Sequence, residues 1–180
     1  MRYVIDGDTA VLEGGAHVRF LGIDAPEMET RDGQPAQFMA HKSKAFVAGL
    51  IQGKLVRLEY DRERYDRYGR VLAYLFLPDG VMVNIAVVRQ GLARVYAHAP
   101  NVRYQEALDA AQQEAMAAGR GIWQKPLAQQ QPEPYYLGNK NSKRLHRPGC
   151  PLAAKMAPAN RVRFTSLKEA YQQGYSPCRS

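Results

Sequence analysis

The sequence has no apolar run approaching the roughly 18 residues that a membrane-spanning helix needs. No membrane partner is expected. Met1-Arg2-Tyr3 runs straight into strand-like sequence without the pattern of a secretory leader, and the compartment is left open. Cysteine is scarce: the chain of 180 residues has two, Cys150 and Cys178, both late in the sequence. Histidine is nearly as rare, and near the start His17 and His41 lack a partner at metal-ligand spacing. A zinc site there would have no ligands, so a cation in that region must be held by oxygen.

What is plentiful is apolar side chain and positive charge. At 46% hydrophobic residues the chain can bury a core, and its length fits one domain plus a small appendage. The formal charge is +8 with a pI near 9.6, a balance that draws polyanions whatever their sequence. Nucleic acid is the natural partner.

Two short segments concentrate the chemistry: Ile5-Asp6-Gly7-Asp8-Thr9, and Arg19-Phe20-Leu21-Gly22-Ile23-Asp24-Ala25-Pro26-Glu27. The strand formers Val4, Val11, Val18, Phe20 and Ile23, with Glu13-Gly14-Gly15 as a turn, place these acids together at one end of a small sheet. Crowded carboxylates repel unless a positive charge sits among them, and their oxygens suit a hard cation. An isolated Asp-Gly-Asp also shapes an ordinary Asx turn. Pro26 stiffens the backbone before Glu27, a candidate general base or, failing that, a group that only orients water.

Further along, residues 28–37 read as a polar loop beside the site. Met39, Phe46 and Leu50 form one helical stripe, expected to be core. Strands are expected over 55–60 and 71–77, with Pro78-Asp79-Gly80 turning back into a strand at 81–83. Asn84 is expected to cap a short helix, and Asn101 a longer one that stops at Gly119. The Gln/Pro-rich stretch 124–134 reads as a linker between a domain at 1–123 and a small α+β unit at 135–180. That unit should have a strand at 161–164 and a helix begun by a Ser166/Glu169 capping box and stopped by Gly174. The pattern of short antiparallel strands with about three interposed helices fits a mainly β (α+β) chain built as a five-stranded Greek-key barrel of the OB-fold type.

Together with Asp66-Arg67-Tyr68-Gly69-Arg70, Met82-Val83-Asn84 and Val88-Arg89-Gln90-Gly91-Leu92-Ala93, the two acidic segments resemble the staphylococcal nuclease (thermonuclease) family. The resemblance implies the same OB-fold and a calcium-dependent phosphodiesterase acting on DNA and RNA, working as a monomer. It implies one Ca²⁺ held by Asp8, Asp24 and the Ala25 carbonyl, with Arg19 and Arg70 on the transition-state phosphate and Glu27 as base. Tyr68, Tyr96 and Arg67 match nucleotide-binding positions, although His98 stands where a second tyrosine is expected. The alternative is a catalytically inactive relative that only binds nucleic acid. The tail resembles the small metal-binding module of the Ada DNA-repair protein, of whose cysteines only Cys150 and Cys178 are present. Their convergence, with His146 nearby, is implied by that resemblance, and a disulfide or two thiols is favoured over zinc. Lys140, Lys143, Arg144 and Arg147 give the tail a basic surface.

Overall fold

A computed structural model describes residues 1–29, 33, 35–124 and 133–178 of the chain. The first hairpins form where the apolar residues alternate. In β3 (His17–Phe20), Val18 and Phe20 turn into the core while His17 stays exposed, which leaves Arg19 on the opposite side from its neighbours. β1 (Tyr3–Val4), β2 (Thr9–Val11), β3, β5 (Arg57–Glu59) and β6 (Val71–Phe76) make a five-stranded sheet in the order β1-β2-β3-β6-β5. β4 (Ile23–Asp24) pairs separately with β7 (Arg94–Val95). This is the OB-type arrangement, and no closed barrel is found among the described residues.

In the five-stranded sheet one pairing departs from the antiparallel expectation. β3 runs parallel to β6, with Arg19 opposite Leu72, because α1 (Ala40–Ile51) and β5 lie between them and supply the crossover that a parallel pair requires. The expected return strand at 81–83 shrinks to a single bridge from Phe76 to Met82, since α2 (Val83–Arg89) begins at once.

The helices correct three other expectations. In α1 the face turned fully inward is Ala40, Ser43, Val47 and Ile51, one position round from the predicted stripe. Met39, just before the helix, joins the core as expected, while Phe46 and Leu50 pack only half-buried against it. Asn84 does not cap α2. It is wholly buried, accepting from the Leu75 N–H and donating to the Leu21 carbonyl, so it ties β6 to the turn after β3. Nor does Asn101 cap α3 (Gln105–Ala117), which starts after Tyr104. Its side chain instead accepts from the Glu63 N–H and donates to the Glu63 carbonyl, pinning the loop after β5.

The tail folds as a four-stranded sheet, β10-β8-β9-β11, from β8 (Tyr136–Asn139), β9 (Arg144–His146), β10 (Arg161–Phe164) and β11 (Ser176–Pro177). α4 (Pro151–Ala154) and α5 (Leu167–Gln172) flank it. Ser166 caps α5 by accepting from the Glu169 N–H. The Glu169 carboxylate does not close the box on Ser166 but accepts from the backbone and hydroxyl of Thr165.

The tail packs on α3. Gln112 and Gln113 donate to the Tyr171 carbonyl, Trp123 meets Tyr171 edge-on at 5.5 Å, and Tyr171, Phe164 and Leu145 join the same buried cluster as Leu108 and Ala111. Of the predicted linker, residues 125–132 lie outside the described residues.

Candidate active site

The acids meet where the turn before β2 presses on α1 and on the end of β4. Only glycine fits at position 7, where a Cβ would stand 1.8 Å from the Ser43 hydroxyl oxygen and 2.6 Å from the Ala25 Cβ. That close approach brings Asp8 beside Ala25. The Asp8 carboxylate, almost fully buried, accepts from the Ala25 N–H at 2.7 Å and from the Thr9 hydroxyl at 3.0 Å. Asp6 caps the turn itself, accepting from the Asp8 N–H at 2.9 Å.

Arg19 reaches into this cluster rather than out to water. One of its terminal nitrogens lies 3.2 Å from an Asp8 oxygen and 3.4 Å from an Asp24 oxygen, and its side chain is only 11% exposed. The other donates to the Phe20 carbonyl at 2.8 Å. Two carboxylates therefore converge on one point of positive charge. The excess of negative charge shows in Asp6, whose pKa is pushed up to about 6 by burial first and then by the neighbouring Asp8, with Glu27 adding to it against the pull of Arg19. Hard oxygens around a site short of positive charge suit a cation such as Ca²⁺ or Mg²⁺.

Glu27 sits at the mouth of the cluster with its backbone fixed. Its N–H donates to the Gln37 side-chain oxygen at 3.1 Å, and its carbonyl accepts from the Gln37 N–H at 2.9 Å. Gln37 closes the base of the loop predicted over 28–37, of which residues 30–32 and 34 lie outside the described residues. Nothing in the residue pattern singles out Gln37.

Arg70 comes to the cleft on a tight turn. Gly69 takes φ of 77°, a left-handed conformation that glycine adopts without strain. Asp66 organises the turn. One of its oxygens accepts from the Tyr68 N–H at 2.9 Å and the Arg70 N–H at 3.0 Å, and the other binds Arg70 Nε at 2.7 Å. Burial would raise the Asp66 pKa, but these bonds and the adjacent guanidinium outweigh it and hold the carboxyl below its ordinary value. Asp66 was part of the sequence motif without a role of its own. The signal was present in its spacing, four residues before the arginine.

Arg19, Arg70, Arg67, Tyr68 and Tyr96 line one cleft of about 590 Å³. Tyr68 is 68% exposed, with the Arg67 and Arg70 guanidinium carbons 4.8 and 5.5 Å from its ring centre. Arg67 also donates to the Tyr68 hydroxyl at 2.6 Å. Tyr96 is different. Arg144 of the tail lies against its ring, 3.2 Å from the centre, so one face is already covered. His98 stands nearby as well, with its ring centre 6.4 Å from that of Tyr96, and the cover by Arg144 is a restriction on base stacking that no feature of the 95–100 segment announced.

In the tail, His146, Cys150 and Cys178 come together, with one ligand atom from each within 4.8 Å of the others. His146 Nδ1 is 3.3 Å from Cys150 Sγ. No disulfide joins the cysteines. The spacing of the three groups would admit a soft metal with a fourth ligand from elsewhere.

The chain is similar to known proteins over most of its length before the tail. Residues 17–125 match the family described as Staphylococcal nuclease homologue. A thermonuclease of Staphylococcus intermedius is 37% identical over 128 residues, which is 69% of this chain and 75% of that protein. A thermonuclease of Staphylococcus hyicus is 37% identical over 123 residues, 67% of this chain and 72% of its own length. Endonuclease YncB of Bacillus subtilis is 37% identical over 126 residues, 67% of this chain and 59% of that protein. The chain belongs to the staphylococcal nuclease family.

Proposed function

We propose that this protein is a Ca²⁺-dependent nuclease that hydrolyses phosphodiester bonds of DNA and RNA with little sequence preference. The observation that carries the reading is the convergence of Asp8 and Asp24 on Arg19, at the edge of a cleft that also holds Arg70. The names of the relatives support it.

Hydrolysis forms a bond from water to phosphorus as the ester bond on the far side breaks. Glu27, held by Gln37, accepts the proton of the attacking water. Negative charge grows on the equatorial oxygens, and Arg70 meets it with its terminal amino groups because Asp66 takes Nε. Arg19 adds a second guanidinium from the side of the acids. Asp8 and Asp24 would hold a Ca²⁺ ion, which would supply positive charge to offset the negative charge growing on the phosphate. The exposed Tyr68 ring offers stacking that tolerates any base, which favours low sequence preference.

Steady-state kinetics with matched binding measurements test this. Arg70→Ala is expected to lower kcat by about 10³-fold with little change in affinity, since its contact forms chiefly in the transition state. Glu27→Gln should lose roughly 10²- to 10⁴-fold in the same manner. Full turnover by Arg70→Ala would refute the mechanism and leave a nucleic-acid-binding module.

A further inference from the structure

The charge of the chain is distributed very unevenly. Residues 133–180 hold nine of the 25 Lys and Arg but only two of the 17 Asp and Glu, a net of +7, which leaves +1 for residues 1–132. The polyanion attraction of this protein therefore resides in its tail.

The tail is also joined to the catalytic cleft. A second cavity of about 460 Å³ is lined by Asn139, Ser142 and Arg144 from the β8–β9 hairpin and by Tyr96, the residue that walls the catalytic cleft. Arg144 locks the two parts in register. Its guanidinium covers one face of Tyr96 and donates to the Ala97 carbonyl at 2.6 Å and to the Ser176 hydroxyl at 2.5 Å. With those bonds made, Arg144 is a fastening and not a phosphate ligand. The charge available to a ligand comes from its neighbours. The exposed Lys140, in the β8–β9 turn, gives one of its three ammonium donors to the Ala159 carbonyl at 3.2 Å, Arg147 is exposed just after β9, and the exposed Ser142 stands at the cavity itself.

We propose that the tail-lined cavity is a subsite for the nucleotides that flank the scissile phosphate. A single strand passes from the Arg70 cleft over Tyr96 onto the β8–β9 hairpin, where Lys140 and Arg147 take its phosphates. The inference rests on the nuclease reading for its substrate class. It adds that substrate length is sensed by the tail. A ligand confined to the Arg70 cleft does not reach the hairpin, whereas a longer strand uses both cavities.

The test is equilibrium binding in chelator, so that hydrolysis plays no part, of a fluorescent single-stranded 12-mer and of a dinucleotide. Each phosphate contact to a single strand contributes a salt slope of about 0.7. Removing two contacts, in Lys140→Gln/Arg147→Gln, should flatten the log–log slope by about 1.4 and weaken the 12-mer roughly 25-fold at 0.1 M salt relative to 1 M. Dinucleotide affinity should stay unchanged. Ser142→Glu, which sets a negative charge at the cavity, should likewise weaken only the 12-mer. Both sets of substitutions fall on exposed positions, and circular dichroism checks that the fold persists. A 12-mer affinity that is unchanged, or that falls in step with the dinucleotide, would overturn the proposal. Failure of the wild-type protein to cleave nucleic acid would count against the nuclease reading alone, because the binding arm is read without turnover.

Discussion

Asp66 is expected to act on the reaction only through Arg70, and Asp66→Asn isolates that role. The amide keeps one oxygen to accept the Tyr68 and Arg70 N–H groups, so the turn persists. What is lost is the charge-assisted bond at 2.7 Å to Arg70 Nε, because an amide nitrogen turned there would present donor to donor. A hydrogen bond to a charged group contributes about 1.5–3 kcal/mol, and because the Arg70 side chain is 33% exposed solvent screening brings the expected stability loss below that range, to about 1 kcal/mol. The kinetic effect is larger. A guanidinium free to swing by about 1 Å loses on the order of 10²-fold in rate, while KM should scarcely move. A double-mutant cycle decides the matter. If Asp66 works through Arg70, then Asp66→Asn placed on Arg70→Ala costs nothing further in kcat. Multiplicative losses, or an unimpaired Asp66→Asn enzyme, would refute the reasoning.

Acid titration of stability gives a second check. The folded Asp66 pKa is lowered, so its stabilisation is complete above the unfolded value of about 3.9 and is lost as pH falls through the folded value; the gap between wild type and Asp66→Asn should close below about pH 4. Asp6 has the opposite sign. Its folded pKa of about 6 lies above the unfolded one, so ionising it costs the metal-free protein stability as pH rises from about 4 to 6, and Asp6→Asn should stabilise at pH 7 but not at pH 4. In the tail, thiol titration of unreduced, denatured protein should find two thiols per chain, and none would show that Cys150 and Cys178 had oxidised as a pair.

The acidic segments were legible because their geometry is local. A strand period of two and a glycine turn bring Asp8, Arg19 and Asp24 together within 17 residues of sequence, and the structure finds them touching. Asn84 and Asn101 were misread for a general reason. An asparagine before an apolar run looks like a helix cap, but the same amide can serve the backbone of a distant turn or loop, here 63 residues away for Asn84 and 38 for Asn101. The α1 stripe slipped by one position: Ala40, Ser43, Val47 and Ile51 are the buried face, Ser43 close against Gly7 of the acidic turn, and Phe46 and Leu50 lie at its margin. Arg144 on Tyr96 spans two parts of the chain that share no periodic pattern, so nothing in the sequence pointed to it.

The most direct measurement is the rate of phosphodiester cleavage, on plasmid DNA and on RNA, by the purified full chain in Ca²⁺ and in chelator, with Asp8→Ala alongside. The account predicts cleavage of both polymers that depends on Ca²⁺, is abolished by chelation, and is lost in Asp8→Ala even when Ca²⁺ is abundant. Equal cleavage with and without chelator, or full activity with Zn²⁺ and none with Ca²⁺, would contradict it.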